Sequence, residues 1–226
     1  MRNAVSKESA GSSVTLDGYF ATDLAVANAA RVSFNQESDE MTDREVGLIS
    51  FLMKNRHGSP FEHGYFRFKV KCPIFVAREW FRHRIGSFNE WSGRYSKIEP
   101  EFFIPEEFRT QKGKPGAYKF ERLDPIDDYS HQSQIEYAYS IAESVYEGLL
   151  DAGVAKEQAR MVLPVATYTN FVWSVNPRAL MNFLSLRAHD DAMKEIRDLA
   201  FDVEEDFKKV MPATHAAWEA NGRIAP

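Results

Sequence analysis

The sequence predicts an α+β fold, a helix-rich single domain over residues 1–226 with a small antiparallel sheet. Two patterns predict it. Several segments place apolar residues at helical spacing, whereas one segment alternates with the period of two that is typical of a β-strand. The length of 226 residues is within the range of one domain, and the sequence contains no internal repeat. A chain of this size buries enough apolar surface to fold without disulfides or metal ions.

The N-terminal region is expected to contain an arm followed by two helices. Residues 1–16 have the composition of a flexible arm, and residues 23–32 that of a short helix. Thr42 and Glu45 have the spacing of a capping box, so a second helix is expected to begin there and to end near Gly58. The apolar face of this helix is expected to consist of Val46, Ile49, Leu52 and Met53.

Residues 64–72 are predicted to form a half-buried strand, because polar and apolar side chains alternate along them. Its outward side would carry Tyr65, Arg67, Lys69 and Lys71, and its inward side Phe66, Phe68, Val70 and Cys72. Pro73 suits the first position of a helix, where its missing N–H is not needed. A helix is therefore expected over residues 73–84.

The second half of the chain begins with a segment that has no regular pattern. Four prolines and two glycines interrupt residues 99–130, which predicts a long loop or lid. An amphipathic helix follows, then a short helix that ends before Pro164, and Asn176 with Pro177 begins another. The predicted apolar stripes are Ile135, Ala138, Ala142, Val145 and Leu149 in the first of these helices, and Met193, Ile196, Ala200, Val203 and Phe207 in a last one.

Composition and charge exclude several classes of protein. The net charge of −5 argues against a general nucleic-acid binder, since such proteins concentrate positive charge. Cys72 is the single cysteine, which excludes an internal disulfide and a thiolate metal cluster. No segment has the roughly 18 apolar residues of a membrane span, and the N-terminal residues lack an apolar secretory stretch. We therefore expect a cytoplasmic protein that binds neither nucleic acid nor membranes.

A cationic segment lies within this acidic chain. Between Arg67 and Lys97 there are eight lysine or arginine residues and two acidic ones, and residues 82–95 are the densest polar part. Arginine forks match phosphate and carboxylate oxygens, and a Ser-Gly pair lets backbone N–H groups approach an anion. The segment is therefore a candidate anion-binding loop. A solvated basic face and a helix end with charged residues remain the alternatives.

The motif Arg82-His83-Arg84, followed after seven residues by Ser92-Gly93-Arg94, resembles the RHR-x7-S-x-R signature of the flavin-dependent thymidylate synthases. Four further segments resemble parts of the same family, and the resemblance runs from about residue 24 to about residue 207. These segments are residues 57–63, 77–81, 160–164 and 182–187. The resemblance implies the flavin-dependent thymidylate synthase fold.

The same resemblance implies an enzyme that methylates dUMP to dTMP. FAD would be its cofactor, NADPH the reductant and 5,10-methylenetetrahydrofolate the carbon donor, in a homotetramer with sites shared between subunits. The residues implied to bind FAD are Ser33, His57, Ser59, Glu62, Arg82, His83, Arg84, Glu90, Asn176 and Asn182. The residues implied to bind dUMP are Glu79, Arg82, Glu90, Ser92, Gly93, Arg94, Arg160 and Arg187.

Arg187 is the predicted catalytic residue. It lies in an otherwise apolar helical segment, where a charge must find a partner or face a ligand. Uracil C5 is a poor nucleophile, and a guanidinium at the ring carbonyl oxygens would stabilise the negative charge that develops during activation. The sequence contains no G-x-G-x-x-G run, so flavin would be held by an architecture other than the dinucleotide-binding fold. No metal site is expected.

Simpler explanations exist for several of these residues. Asn176 is also a good helix N-cap, and Arg160 could pair with Glu157 one helical turn away. Some family members carry a histidine four residues after the uracil-binding arginine. Here that position is Asp191 and the nearby histidine is His189, so we assign a role to neither.

Two alternatives from other functional classes are compatible with parts of the sequence. One alternative is a non-catalytic nucleotide-binding paralogue. Another is a metal-dependent hydrolase using His57, Glu62 and His63, which the spacing and Pro60 disfavour. A nucleophilic Ser92 would need an adjacent base. Flavin-independent thymidylate synthases attack uracil with a cysteine thiolate, but Cys72 is predicted to be a buried hydrophobic residue.

Overall fold

The computed structural model describes residues 7–9, 11–32, 36–115 and 117–226. Their contacts group the chain into two compact units, each built from segments that are not consecutive in sequence. The first unit comprises Met1–Lys71, Arg78–Glu90 and Asn170–Pro226, and the second comprises Cys72–Ala77 and Trp91–Thr169. The single domain over residues 1–226 stays a prediction.

A sheet forms the centre of the first unit. Among the described residues it consists of β1 (Lys7–Ser9), β2 (Ser12–Phe20), β3 (Tyr65–Pro73), β4 (Ser87–Glu90) and β7 (Tyr168–Val175), numbered along the chain. These five strands lie in the order β1-β2-β3-β7-β4. The pairs β1–β2, β2–β3 and β4–β7 are antiparallel. The predicted α+β class with a small sheet is thereby confirmed.

Strand β3 has the predicted alternation: Tyr65, Arg67 and Lys69 are exposed, whereas the alternate apolar residues through Cys72 are buried. Asp17 on the neighbouring strand β2 pairs with Arg67 Nε and Lys69 Nζ, each at 2.6 Å. The hydrogen bond from Lys69, together with Arg67, lowers the pKa of Asp17. This part of the cationic segment is therefore a solvated, partly neutralised basic face.

The flexible arm predicted for residues 1–16 is wrong for the described residues, because strands β1 and β2 occupy most of them. Strand β2 pairs with β3 from Ser13, opposite Lys71, to Phe20, opposite Tyr65. The backbone hydrogen bonds come from a segment about fifty positions away in sequence. The local pattern of this polar segment therefore does not indicate a strand, because the hydrogen-bond partners lie in another part of the sequence.

The first unit contains helices that pack on its sheet or on one another. They are α1 (Asp23–Arg31), α2 (Asp43–Lys54), α6 (Pro177–Arg187), α7 (Lys194–Val210) and α8 (Pro212–Ala220), and α3 (Ile74–Trp80) begins in the second unit. Aromatic rings form the core: Trp80, Trp173 and Phe183 lie with centroids 4.6–5.4 Å apart. The predicted stripe of α7 is buried at Ile196, Ala200, Val203 and Phe207.

Several helix boundaries follow the predicted caps. The capping box is present, with Glu45 bonded to Thr42, and hydrogen bonds from Thr42 and Ser38 lower the pKa of Glu45 to about 2. Val46 was expected on the buried face, but it is 41% exposed. Helix α3 spans Ile74–Trp80, so the helix predicted over residues 73–84 is too long at both ends: Pro73 still belongs to strand β3, and residues 81–82 form a turn.

The second unit contains helix α4 (Pro125–Asp151), the short helix α5 (Lys156–Ala159), and a hairpin of β5 (Arg109–Lys114) and β6 (Ala117–Arg122). The long loop predicted over residues 99–130 is therefore wrong in part. Two of the residues that suggested a loop have defined places in these elements. Gly113 has a φ of +107° within β5, one residue before its end at the hairpin turn, and Pro125 occupies the first turn of α4.

The buried face of α4 is shifted from the predicted stripe. Ala138 and Val145 are exposed, whereas Tyr146 is fully buried and accepts a hydrogen bond from the Ile98 backbone N–H at 2.9 Å. A long helix with aromatic residues on more than one side has no single stripe that periodicity can identify.

Within the described part of the chain, no helix is both long enough and apolar enough to cross a membrane.

Candidate active site

The first half of the signature lies on a tight turn between helix α3 and strand β4. The turn is closed by backbone hydrogen bonds from Arg82 to Glu79 (3.2 Å) and from His83 to Trp80 (3.0 Å). Gly86 approaches strand β7 so closely that an added Cβ would lie 2.9 Å from the Ser174 carbonyl oxygen. This position therefore has no room for a side chain, and the turn is held against the sheet.

Arg187 is the last residue of α6, and its guanidinium meets two side chains from the α3 region. Its Nε donates to His83 Nε2 at 3.0 Å, and its Nη1 donates to Glu79 Oε2 at 3.0 Å. The side chains of Arg187 and Glu79 are 21% and 36% exposed. Glu79, His83 and Arg187, each predicted to be functional, are thus in contact at a partly solvated site in the first unit.

His83 is neutral in this arrangement. Burial, followed by the positive charge of Arg187, lowers the pKa of His83 to about 4. Its ring packs edge-on against Phe183, with centroids 4.9 Å apart. Because Nε2 accepts a hydrogen bond from Arg187, the proton of the neutral imidazole resides on Nδ1.

Other predicted flavin-binding residues gather near the start of α6. The side chain of Asn176 caps this helix by accepting from the Ala179 N–H at 2.8 Å, as its local role predicted. Arg178 Nη1 lies 2.5 Å from Glu62 Oε1, and Arg178 Nε donates to the Pro226 carbonyl oxygen at 2.6 Å. The backbone of Gly58 leaves no space beside this arginine, since an added Cβ would lie 2.6 Å from Arg178 Nε.

Arg178 contacts this group through Glu62 and was not among the residues predicted from the sequence. It lies in the first turn of α6, where the helix dipole disfavours a cation. A cation there must be stabilised by something else, here Glu62, so the unfavourable position was the available signal.

The remaining predicted flavin residues are spread over the surface of the first unit. They are His57, Ser59, Arg82, Arg84, Glu90 and Asn182, and each is exposed. His57 packs edge-on against Phe51 at 5.8 Å. Ser33 lies outside the described residues. Exposed guanidinium, imidazole and amide groups suit a diphosphate and a heteroaromatic ring, so this donor set fits a flavin nucleotide.

The second half of the signature lies in the second unit. Arg94 Nε is 3.3 Å from Glu157 Oε2, and both side chains are 54% exposed. Ser92 Oγ accepts from the Arg94 backbone N–H at 3.3 Å, which gives the segment a serine-stabilised turn. An added Cβ at Gly93 would lie 2.6 Å from Ile98 Cδ1 and 3.4 Å from Arg160 Cδ. Glu157 thus pairs with Arg94, not with Arg160 as the local spacing suggested.

The metal-site alternative finds little support in the described residues. The one set of histidine and carboxylate groups there with ligand atoms close together is Glu204, His215 and Glu219, and not His57, Glu62 and His63. The Arg223 guanidinium already binds Glu204 at 2.7 and 2.5 Å.

Two histidines have hydrogen-bond partners that bear on their roles. His83 Nε2 is engaged by Arg187, so that nitrogen does not serve as a base for Ser92. The exposed His189 accepts from the Asp191 N–H at 3.2 Å, so these two residues form a local turn contact after α6.

The comparisons with known proteins agree on one family. The family model described as "Thymidylate synthase complementing protein" matches residues 16–213. A flavin-dependent thymidylate synthase of Tropheryma whipplei is 44% identical over 227 residues, with 94% of each chain covered. One from Streptomyces coelicolor is 44% identical, with 91% of this chain and 90% of the relative covered. The chain belongs to this family.

Solved structures give the same result. The crystal structure of a UMP/dUMP methylase, PolB of Streptomyces cacaoi, bound with 5-Br dUMP matches with a TM-score of 0.88 and 42% identity. The match covers 95% of this chain and 97% of that one. The same enzyme bound with 5-Br UMP matches with a TM-score of 0.87 and 41% identity. The family and fold predicted from the signature are thereby confirmed.

Proposed function

We propose that this protein is a flavin-dependent thymidylate synthase that methylates dUMP to dTMP. The observation that carries the proposal is the partly buried Arg187 guanidinium, fixed by His83 and Glu79 on the turn that contains the family signature. Membership in a family of flavin-dependent thymidylate synthases supports the same reaction.

Arg187 would act on the uracil ring. The ring must accumulate negative charge before C5 attacks a carbon electrophile, and a fixed cation at a carbonyl oxygen stabilises that charge without reorganising. Nη2 of Arg187 makes only a long contact, 3.5 Å, to the Glu79 carbonyl oxygen. An N–H group of Nη2 is therefore the natural donor to uracil, while Nε and Nη1 hold the side chain in place.

Arg94 would bind the phosphate of dUMP, with Ser92, Gly93 and Arg160 beside it. Its present partner is Glu157, in an exposed ion pair. Such pairs contribute only about 0–1 kcal/mol, so a dianionic phosphate would displace the glutamate at little cost. Glu79, Arg82 and Glu90 complete the nucleotide-binding set that the signature implies.

FAD is the proposed flavin. Its proposed binding residues are Ser33, His57, Ser59, Glu62, Arg82, His83, Arg84, Glu90, Asn176 and Asn182, and Arg178 joins them through its contact with Glu62. When bound, the flavin would supply the electrons of the reaction. The protein's own contribution is the position and charge of these side chains.

Several finer features belong to the same proposal. NADPH is the proposed reductant and 5,10-methylenetetrahydrofolate the carbon donor, because the methyl group requires both a one-carbon unit and two electrons. The proposed assembly is a homotetramer with sites shared between subunits. The proposed location is the cytoplasm. The signature resemblance supports these features.

A direct experiment tests the enzyme against the non-catalytic nucleotide-binding alternative. Purified protein is examined for a flavin spectrum in visible light and is then assayed for dTMP from dUMP, NADPH and methylenetetrahydrofolate. We expect bound flavin and NADPH-dependent dTMP. Flavin-free protein that binds dUMP but forms no dTMP when FAD is added would support the alternative and overturn the proposal.

A further inference from the structure

We infer that His83 is a positioning residue for Arg187: its neutral imidazole orients the guanidinium that acts on the substrate. This inference rests on the proposed function of Arg187 and goes beyond the flavin contact that the signature implies for His83. The hydrogen bond from Arg187 Nε to His83 Nε2, 3.0 Å long, is the central observation.

Two anchors are needed to fix a planar guanidinium. A single hydrogen bond leaves the group free to rotate about it, whereas two bonds at different nitrogens define its plane. Glu79 provides one anchor at Nη1, and His83 provides the other at Nε. With both in place, the direction of the Nη2 N–H groups is set before the substrate arrives.

The chemical nature of each anchor matters. Glu79 is a carboxylate and offsets part of the charge of Arg187. A second carboxylate at position 83 would offset more and would weaken the electrostatic effect on uracil. A neutral imidazole accepts the hydrogen bond and leaves the net charge of the Arg187–Glu79 pair unchanged, and a protonated one could not accept at all.

The surroundings keep His83 in the required form. Its ring is half-buried against Phe183 of α6, the helix that also carries Arg187. This packing fixes the direction of Nε2 and disfavours the imidazolium. The same helix therefore supplies the arginine and holds the ring that orients it.

The test is a double-mutant cycle on purified holoenzyme with saturating FAD. His83→Leu removes the acceptor, whereas His83→Gln keeps a neutral acceptor of similar reach. Each is combined with Arg187→Ala, and His131→Gln, which changes a histidine of α4 that packs on Phe108, is the matched control. The measurements are kcat and KM for dUMP, flavin content from the visible spectrum, and dUMP affinity by calorimetry.

We expect His83→Leu to lower kcat by up to about 10²-fold, the scale of a displaced catalytic group, and to change KM for dUMP much less. His83→Gln should recover most of that loss, and His131→Gln should match the wild type. In the Arg187→Ala background, His83→Leu should cause no further loss, because the group it positions is gone.

Three outcomes would overturn the inference. If the losses from His83→Leu and Arg187→Ala multiply, His83 acts independently of Arg187. If both His83 variants lose flavin and neither is restored by added FAD, the histidine serves the flavin instead. If Arg187→Ala itself keeps wild-type kcat, the proposed role of Arg187 fails first, and a role for His83 through it fails with it.

Discussion

The two arginines that we propose to bind the substrate occupy contrasting environments. Arg187, in the first unit, is 21% exposed and is bound at two nitrogens by side chains from another segment. Arg94, in the second unit, is 54% exposed and makes a single ion pair with an equally exposed glutamate. One cation is fixed before any ligand binds, and the other is free to exchange its partner.

The different environments of Arg187 and Arg94 suit two different functions. Stabilising charge that develops on a ring requires a group already in position, because reorganisation during the reaction adds to the barrier. Capturing a phosphate requires a mobile charge that exchanges a weak partner for a strong one. The contrast therefore predicts a catalytic defect for one arginine and a binding defect for the other.

The largest effect is expected from Arg187→Ala. Loss of one preorganised electrostatic group typically lowers turnover by about 10²–10³-fold, and we expect that loss here with flavin still bound. Steady-state dTMP formation and the flavin spectrum provide the measurement. Turnover within about threefold of the wild type would remove Arg187 from the mechanism.

Arg94→Ala should instead weaken dUMP binding, by about 1.5–3 kcal/mol, the usual contribution of a hydrogen bond to a charged group. Deoxyuridine, which lacks the phosphate, should bind both proteins equally in calorimetry. Glu157→Gln is the matched control, since it removes the competing carboxylate and should leave dUMP affinity equal or higher. Equal weakening of both ligands would contradict the phosphate assignment.

The pH dependence of the unfolding free energy tests, without any ligand, whether the fold keeps His83 neutral. The pKa of His83 is lowered from 6.5 to about 4, so between those values the unfolded chain binds a proton that the folded protein does not. His83 therefore destabilises the fold as pH falls from 6.5 towards 4. The loss should be roughly 1 kcal/mol, reduced from the unscreened value because the ring is partly solvated.

Denaturant unfolding of the wild type and His83→Gln between pH 7 and pH 4.5 provides the measurement. The wild type should lose more stability over this range than the variant. Identical pH profiles would show that His83 is not held neutral by the fold. Glu45, whose pKa is also lowered, contributes mainly below pH 4.5 and is common to both proteins.

The smallest effect is expected from Cys72→Ala. Cys72 is fully buried at the end of β3, as the alternation of that strand predicted. The substitution should cost about 1 kcal/mol of unfolding free energy and leave most dTMP synthesis intact. Complete loss of turnover in a folded, flavin-bound variant would indicate a thiolate mechanism and would contradict the mechanism proposed for Arg187.

Local patterns in the sequence were sufficient for several features. The capping box of α2, the alternation of β3 and the buried stripe of α7 each follow from residue spacing within a single helix or strand, so the local sequence predicts them. The signature likewise identified the family, because its fixed residues lie within thirteen consecutive positions.

Only the tertiary structure decided the rest. Strand β2 exists because β3 supplies its partners, and the hairpin of β5 and β6 gives the Pro- and Gly-containing segment a regular pairing. The contacts of Arg187 with His83 and Glu79 join residues 104 and 108 positions apart. Sequence predicted each of these residues separately, but which nitrogen meets which acceptor depends on how α6 packs against residues 79–83. That packing is set by the buried aromatic core, in which Trp80 contacts Trp173 and Phe183, 93 and 103 positions away in sequence.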